Sequence, residues 1–370
     1  MYLLDFMNSH ENWEELLAAA PYSIDIRHDE PYVLLKYNQL LSDFSLPEVQ
    51  GARGSIFRRE GNIWICVARS LDKFHNYSEN YAATPRIDWS KGVDIQEKVD
   101  GSICRLWYDR NDWHLSTNGT INAFTAECGD TTFGDVFVSI VERYMNSSFF
   151  FSLLHKDYTY WFELVSPTHN HIVVRYPEDR IYYLGCRNMT TMEEEIIDKP
   201  APFLWEPAHF TYHSLAECVE AAHNLGENEE GYVCVSSSME NGSFLRVKVK
   251  GDAYLTLHHL RGNGPLTVRR LVEYWQQDIL DDFCALCPEY ADYIYRFGCA
   301  LTNLATELTN AYEACAHIED RRQYAKVAFT YPSVVRAYLF ARKDNKFETA
   351  IDFMKDMRVA ALADVLNMED

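Results

Sequence analysis

The stretch IQEKVDGSICRLWY, residues 95–108, sets a lysine between two carboxylates at the end of a strand-like run, then breaks that run with Gly101 and Ser102 before another begins. As a bare tetrapeptide, Lys98-Val99-Asp100-Gly101 also describes a solvated lysine ahead of an Asp-Gly bend. Its chemical reading is a nucleophile. A lysine amine attacks phosphorus only with its lone pair available, which requires burial or nearby cations. Glycine beside it lets backbone close on phosphate, and Ser102 adds a hydroxyl donor.

The residues downstream of Ser102 decide between the two readings. FELVSP places Glu163 inside an apolar strand, EEGYVCV places Glu230 ahead of a glycine and a strand, and RVKVKGDAY places Lys248 and Lys250 two apart on one strand face. Singly, these read as an edge carboxylate, an acidic turn and a solvated strand face. As a set they answer one chemical need. Nucleotidyl transfer takes a nucleophile, carboxylates for a divalent metal, and cations to neutralise a triphosphate and its leaving pyrophosphate.

The surrounding chain of 370 residues, 47% hydrophobic and 14% aromatic, is ample for two or three domains. Residues 1–90 read as a strand-rich N-terminal part, with Gly61-Asn62 in a hairpin turn. Residues 91–260 read as a core of short Val-, Ile-, Tyr- and Trp-rich strands interrupted by helices near FGDVFVSIVERYMN and SLAECVEAAHNLG. After RGNGPL the period becomes helical, so residues 261–370 read as an all-helical C-terminal domain. The expected class is α+β, an antiparallel-sheet core followed by helices.

The net charge of −21 argues against a protein that coats nucleic acid by bulk attraction, and leaves room for one whose cations converge in a groove. The start MYLLDFMNSHENWEELL lacks a basic leader, and no segment approaches the roughly 18 apolar residues of a membrane span, so a soluble, cytoplasmic protein is expected. Ten scattered cysteines read as buried thiols. Cys284 and Cys287, with Cys299, Cys315 and His317 downstream, offer zinc as the lesser alternative. His169, His171, His258 and His259 read as structural or surface histidines rather than metal ligands.

Lys98-Val99-Asp100-Gly101 fits the KxDG pattern of covalent nucleotidyltransferases, and the order Lys98, Glu163, Glu230, Lys248, Lys250 resembles the ATP-dependent phage RNA ligase 1 family within that superfamily. LLKYNQLLSDFSLPEVQGARGSIFR is similar to its N-terminal block, with Tyr37 and Arg53 at its functional tyrosine and arginine. ARSLDKFHNYSEN resembles the segment carrying a phosphate-contacting lysine, here Lys73. FELVSPTHNHIVVRY is similar to its third motif, and EDRRQYAKVA to part of its helical domain linked to tRNA. Two positions depart from the pattern. STNGTI has Asn118 where the family has a lysine, and His75 stands where the family has an aromatic after Lys-Phe.

The resemblance implies a ligase with a nucleotidyltransferase core related to ATP-grasp-like folds, using ATP and Mg2+, with Mn2+ as a substitute. Lys98 would become adenylated, the adenylate would pass to an RNA 5′-phosphate, and an RNA 3′-hydroxyl would then displace AMP. Tyr37, Arg53, Lys73, Glu97, Gly101, Ser102, Glu163, Glu230, Lys248 and Lys250 are the expected ATP-binding residues, with Glu163 and Glu230 holding the metal. Lys248 and Lys250 are also expected in catalysis. Asp100 is read as orienting the nucleotide or a metal-bound water, because its pKa suits it poorly for deprotonating an ammonium. For Tyr37, a hydroxyl contact with ATP and a place in the core both stay open.

In the helical part, Arg321, Arg322, Lys326, Arg336, Arg342, Lys343 and Lys346 concentrate positive charge, with Tyr324 and Tyr331 interleaved. Arg321, Arg322 and Lys326 are the expected RNA-binding residues; a solvated helical face is the alternative. The expected partner is RNA with 5′-phosphate and 3′-hydroxyl ends, tRNA above all, taken by a monomer in the cytoplasm, that of the host if the chain is phage-encoded. The rival readings are a DNA ligase, a GTP-using capping enzyme and a non-catalytic RNA-binding relative. The helices in place of an OB-type strand set after Lys250 weigh against the first two, and the retained Lys98 and carboxylates against the third.

Overall fold

The computed structural model describes residues 2–39, 41–79, 81–167, 174, 176–226, 228–251, 266–280, 283–284 and 290–368. His169, His171, His258, His259 and Cys287 lie outside them. The chain divides into two compact units, residues 1–38 with 42–261 and residues 39–41 with 262–370. Largely antiparallel sheets with short helices make up the first and helices the second, the α+β class expected. Among the described residues no helix is long and apolar enough to cross a membrane.

The first unit opens with a four-stranded meander, β1 (Ile24–Asp29), β2 (Tyr32–Tyr37), β3 (Arg53–Glu60) and β4 (Ile63–Ala68). The turn at Gly61-Asn62 joins β3 to β4, with Glu60 opposite Ile63. Strand period two sends Val33, Leu35 and Tyr37 into one core with Leu3, Met7, Trp13 and Leu17 of two short N-terminal helices. Tyr32 and Leu34 go to the other side, against Trp107 and Ile121. Both faces of this sheet are therefore covered.

Two five-stranded sheets come next. One has the order β14 (His209–Phe210), β6 (Val93–Glu97), β15 (Gly231–Glu240), β16 (Ser243–Lys250), β5 (His75–Asn76). The other has the order β13 (Glu194–Glu195), β12 (Arg180–Asn188), β11 (Tyr158–Val165), β7 (Ser102–Asp109), β8 (Asp112–Thr117). A small hairpin, β9 (Glu127–Cys128) with β10 (Thr131–Thr132), precedes the helix Phe133–Glu142. All these ladders are antiparallel except that of β16 with β5.

Each large sheet buries one face against a helix that the sequence pattern located. Ile95, Tyr232, Cys234, Val247 and Val249 pack on Cys218 and Ala222 of the helix Leu215–His223, whose first turn Ser214 caps. Leu106, Phe162, Leu164 and Ile181 pack on Val136, Phe137 and Ile140 of the helix Phe133–Glu142, capped by Thr132. With Phe162 and Leu164 turned inward, alternation turns Glu163 to the opposite face of β11. The chain passes from one sheet to the other between β6 and β7, in residues 98–101.

The second unit is built on the 26-residue helix Ala291–Ala316, where Ile294, Phe297, Leu301, Leu304 and Leu308 form a buried stripe of helical period. Helices Val268–Gln276, Arg321–Ala328, Ser333–Lys343, Ala350–Asp356 and Val359–Leu366 close the core with Leu271, Val335, Leu339, Met354 and Leu362. Thr349 and Asp352 form a reciprocal capping box. Cys315 is buried and Cys284 and Cys299 are half-buried, and no metal-holding group of His, Cys, Asp or Glu occurs among the described residues.

Candidate active site around Lys98

Lys98 follows the last residue of β6. Its backbone N–H donates to Gly231 O at 2.8 Å, while Glu97 donates to Ala208 O at 2.7 Å and accepts from Ala208 N at 3.2 Å. The end of β6 is thus clamped from both sides. The Lys98 ammonium donates to Glu230 Oε2 at 2.6 Å, and Lys250 Nζ lies 2.9 Å from Glu230 Oε1. The Glu230 side chain is 2% exposed. Burial raises its pKa, but the charges of Lys250 and Lys98 and their hydrogen bonds outweigh that and hold it below the usual carboxylate range.

Two glycines let these strands meet. A Cβ on Gly231, at φ +145°, would overlap the Val249 carbonyl, so only glycine lets the Glu230 segment close on the Lys250 strand. A Cβ on Gly101 would lie 2.6 Å from Leu164 O and 2.9 Å from Glu163 Cγ. Gly101, three residues after Lys98, therefore makes room for the strand that bears Glu163. Ser102 begins β7 opposite Leu164.

Glu163 is half-buried, and desolvation pushes its pKa up to about 7. Lys98 and Arg53 pull it down, and Glu230 and Asp100 push it up, which identifies its electrostatic neighbours. Asp100 is tethered: Val174 N–H donates to its Oδ2 at 2.9 Å, and its own N–H donates to Tyr176 Oη at 2.9 Å. Tyr176 packs with Val99, Val165 and Tyr182. Nothing in the sequence pattern set Tyr176 apart; its place at the end of VVRY, after the third motif, was the available signal.

Arg53, Lys73 and Lys248 lie against the rings of Phe74, Tyr37 and Phe44. Arg53, at the start of β3, donates to Asp72 O at 3.5 Å and lies 4.9 Å from the Phe74 ring centre, with Lys248 Nζ 5.6 Å from the same ring. Lys73 Nζ sits 4.9 Å over Tyr37 and 5.2 Å over Phe44. Tyr37 itself is 5% exposed, within the core beneath Lys73. His75 is buried, its ring edge-on to Phe44 at 5.2 Å and its Nδ1 2.8 Å from Glu79 Oε2. Desolvation lowers its pKa against the pull of Glu79.

Sequence reasoning passed over the charges next to these cations. Arg105 on β7 is fully buried; its guanidinium donates to Arg53 O at 3.0 Å, to Ser116 Oγ at 3.2 Å and to Thr117 O, and desolvation pushes its pKa down to about 9. Asp72, next to Lys73, binds Arg69 at 2.7 Å and accepts from Ser243 Oγ at 2.7 Å. Ser243 in turn accepts from Arg187 at 2.9 Å, and Arg187 and Arg246 share Glu194. This buried lattice ties the Lys73 segment to β16, the strand of Lys248 and Lys250.

Magnesium is commonly held by one or two carboxylates together with substrate phosphates. Glu163, facing Lys98 and Arg53, fits that use. Both Glu230 oxygens are taken by lysines, which makes Glu230 an ion-pair partner in this arrangement. Arg321, Arg322 and Lys326 lie exposed on the helix Arg321–Ala328 of the second unit, with Arg321 3.0 Å from Asp344. Tyr324, expected among them at the surface, is instead fully buried, its hydroxyl donating to Leu339 O at 2.7 Å. With Ala328 one turn on, it faces the helical core.

A family model described as RNA ligase matches residues 51–254, which hold every residue placed above around Lys98 except Tyr37 and Phe44. The chain is 28% identical over 337 residues to a putative bifunctional polynucleotide kinase/RNA ligase of Autographa californica nuclear polyhedrosis virus, covering 87% of this chain and 47% of that protein. It thus spans about half the length of that relative. It is 23% identical over 370 residues to an RNA ligase of Rhodothermus phage RM378, covering 84% of this chain and 83% of that one. Among solved structures, an archaeal ATP-dependent RNA ligase is similar at a TM-score of 0.46 and 15% identity, over 93% of this chain and 77% of that one.

Proposed function

The chain belongs to the RNA ligase family, and from that premise we propose that it joins RNA 5′-phosphate and 3′-hydroxyl ends, with ATP as the source of an adenylyl group carried on Lys98. The observation that carries this reading is the Lys98 ammonium held at 2.6 Å by a buried carboxylate that Lys250 also binds. That pairing fixes the amine where the chain passes from one sheet to the other. It also keeps a second cation beside Glu230 once Lys98 has reacted.

In the first step the Lys98 amine, its proton given to solvent, forms a bond to the α-phosphorus of ATP as the bond from that phosphorus to the pyrophosphate oxygen breaks and pyrophosphate leaves. Approach of the triphosphate brings it among Arg53, Lys73, Lys248 and Lys250, which offset the charge of the departing pyrophosphate. Glu163 would hold a magnesium or manganese ion, which would supply further charge neutralisation at the phosphates. Tethered by Val174 and Tyr176, Asp100 fixes the loop that presents Lys98. The adenylyl group then passes to the RNA 5′-phosphate oxygen, freeing Lys98. Finally the 3′-hydroxyl oxygen attacks the phosphorus of the RNA 5′-phosphate, giving its proton to solvent, and AMP leaves.

Repair of cleaved tRNA is the use we infer for this activity. The exposed basic residues Arg321, Arg322 and Lys326 of the helical unit support it as contacts for folded RNA, read through phosphates. The test is joining of a 5′-labelled RNA with a 3′-hydroxyl end in the presence of ATP and Mg2+. Conversion of the label to a phosphatase-resistant form by the wild type, with none by Lys98→Ala, is expected. Equal conversion by both proteins would sink the proposal, and a requirement for GTP in place of ATP would move it to capping chemistry.

A further inference from the structure

The helix Arg321–Ala328 carries its hydrogen-bond pattern one step further, with Phe329 N–H donating to Ala325 O at 2.9 Å. At about 100° per residue, Arg322, Lys326 and Phe329 therefore fall within an arc of about 60°. Tyr324 and Ala328, both fully buried, fall on the opposite side. Packing of the helical core accounts for those two. It does not account for a phenylalanine that is 64% exposed on the outer stripe.

A lone exposed apolar side chain is ordinary, and two further observations set this one apart. The ring is held in place: the Arg336 guanidinium lies 4.9 Å from its centre, and Phe340 meets it edge-on at 6.2 Å. The exposed cations beside it on the stripe are also uncommitted. Among the described residues, Arg322 and Lys326 have no ion-pair partner, whereas Arg321, about 100° round the helix from Arg322, is 3.0 Å from Asp344. Residues 321–343 hold six arginines and lysines and no carboxylate, in a chain whose net charge is −21. Such a surface suits a polyanion that also offers flat apolar faces. Unpaired RNA does so, since its bases can be splayed out onto an aromatic ring, while the bases of a duplex are stacked on one another.

We propose that Phe329 is a stacking platform for an unpaired base of the RNA, with Arg322 and Lys326 contacting neighbouring phosphates. The inference rests on the ligase reading, and it narrows the RNA taken by the helical unit to one with unpaired nucleotides.

The test titrates the full chain against a fluorescently labelled stem-loop RNA and against a blunt RNA duplex of equal length, with anisotropy as the readout. Phe329→Ala should raise Kd for the stem-loop about tenfold, the scale of losing one stacked base, and leave Kd for the duplex unchanged. Phe329→Tyr, which keeps the ring, should bind the stem-loop as the wild type does. Arg322→Met with Lys326→Met should flatten the dependence of log Kd on log salt by about 1.4, as for two single-strand phosphate contacts, and Phe329→Ala should leave that slope as it is. A phenylalanine with a structural role alone would lower the thermal midpoint and weaken both RNAs alike. That pattern, an unchanged Kd for the stem-loop, a loss that Phe329→Tyr shares, or a wild type that binds neither RNA overturns the platform. Lys98 adenylation is followed in parallel. A wild type that forms no adduct defeats the ligase reading, and the titrations still decide the platform.

Discussion

Glu230 is the residue on which the Lys98 site turns, because its two oxygens hold two lysines that would otherwise repel each other at close range. Glu230→Gln removes the counter-charge and leaves Lys250, 7% exposed, without it. The expected loss in chemical denaturation is about 3 kcal/mol, the scale of breaking a buried pair from one side. Lys98→Met leaves Lys250 on the carboxylate and should cost less; equal losses would show that Lys250 does not hold Glu230. Glu163 makes a separate case. With its pKa raised to about 7, the folded chain keeps a proton that the unfolded chain loses near the ordinary value of 4.5. Its contribution to stability is therefore present below the unfolded pKa and falls as pH rises through the folded value. A carboxyl NMR titration should find Glu163 near 7 and find it higher in Lys98→Met, since Lys98 lowers it; an unshifted titration would remove Lys98 from its surroundings.

At the scale of elements, the decisive feature is a loop that changes sheets. Residues 98–101 leave β6 beside β15 and enter β7 beside β11, so one short segment gathers Lys98, Glu230 and Glu163 from both sheets. Gly101→Ala forces β11 away from that loop and should slow adenylation about 100-fold, the effect of displacing reacting groups by about 1 Å. It should also cost about 1–3 kcal/mol of stability through overpacking. Unaltered adenylation in Gly101→Ala would show that the contact with Leu164 is not needed. Strand and helix periods made these elements legible, and spacing made Lys98, Glu163, Glu230, Lys248 and Lys250 legible as a set. The charges between layers were hidden by the same rules. Arg105, Arg187 and Glu194 lie in strands where alternation predicts solvent, yet the second sheet face is covered by another sheet, and they bond to Arg53, Ser243 and Arg246, all distant in sequence. Tyr324 failed in the opposite sense: amid basic residues it reads as surface, while its helical phase carries it into the core.

At the scale of the whole chain, each unit has its own core, and the expected roles divide between them. Arg321→Ala with Arg322→Ala should weaken joining of tRNA ends while self-adenylation proceeds at the wild-type rate, because both side chains lie exposed in the helical unit. Parallel loss of both activities would mean a folding defect and remove the case for an RNA contact there. The central claim, that Lys98 carries the adenylyl group, is tested most directly by incubating the purified protein with α-labelled ATP and Mg2+ and weighing the intact chain beside Lys98→Ala. The account predicts one labelled AMP per wild-type chain and none on the variant. An unlabelled, unmodified wild type, shown beforehand not to be already adenylated, would contradict it.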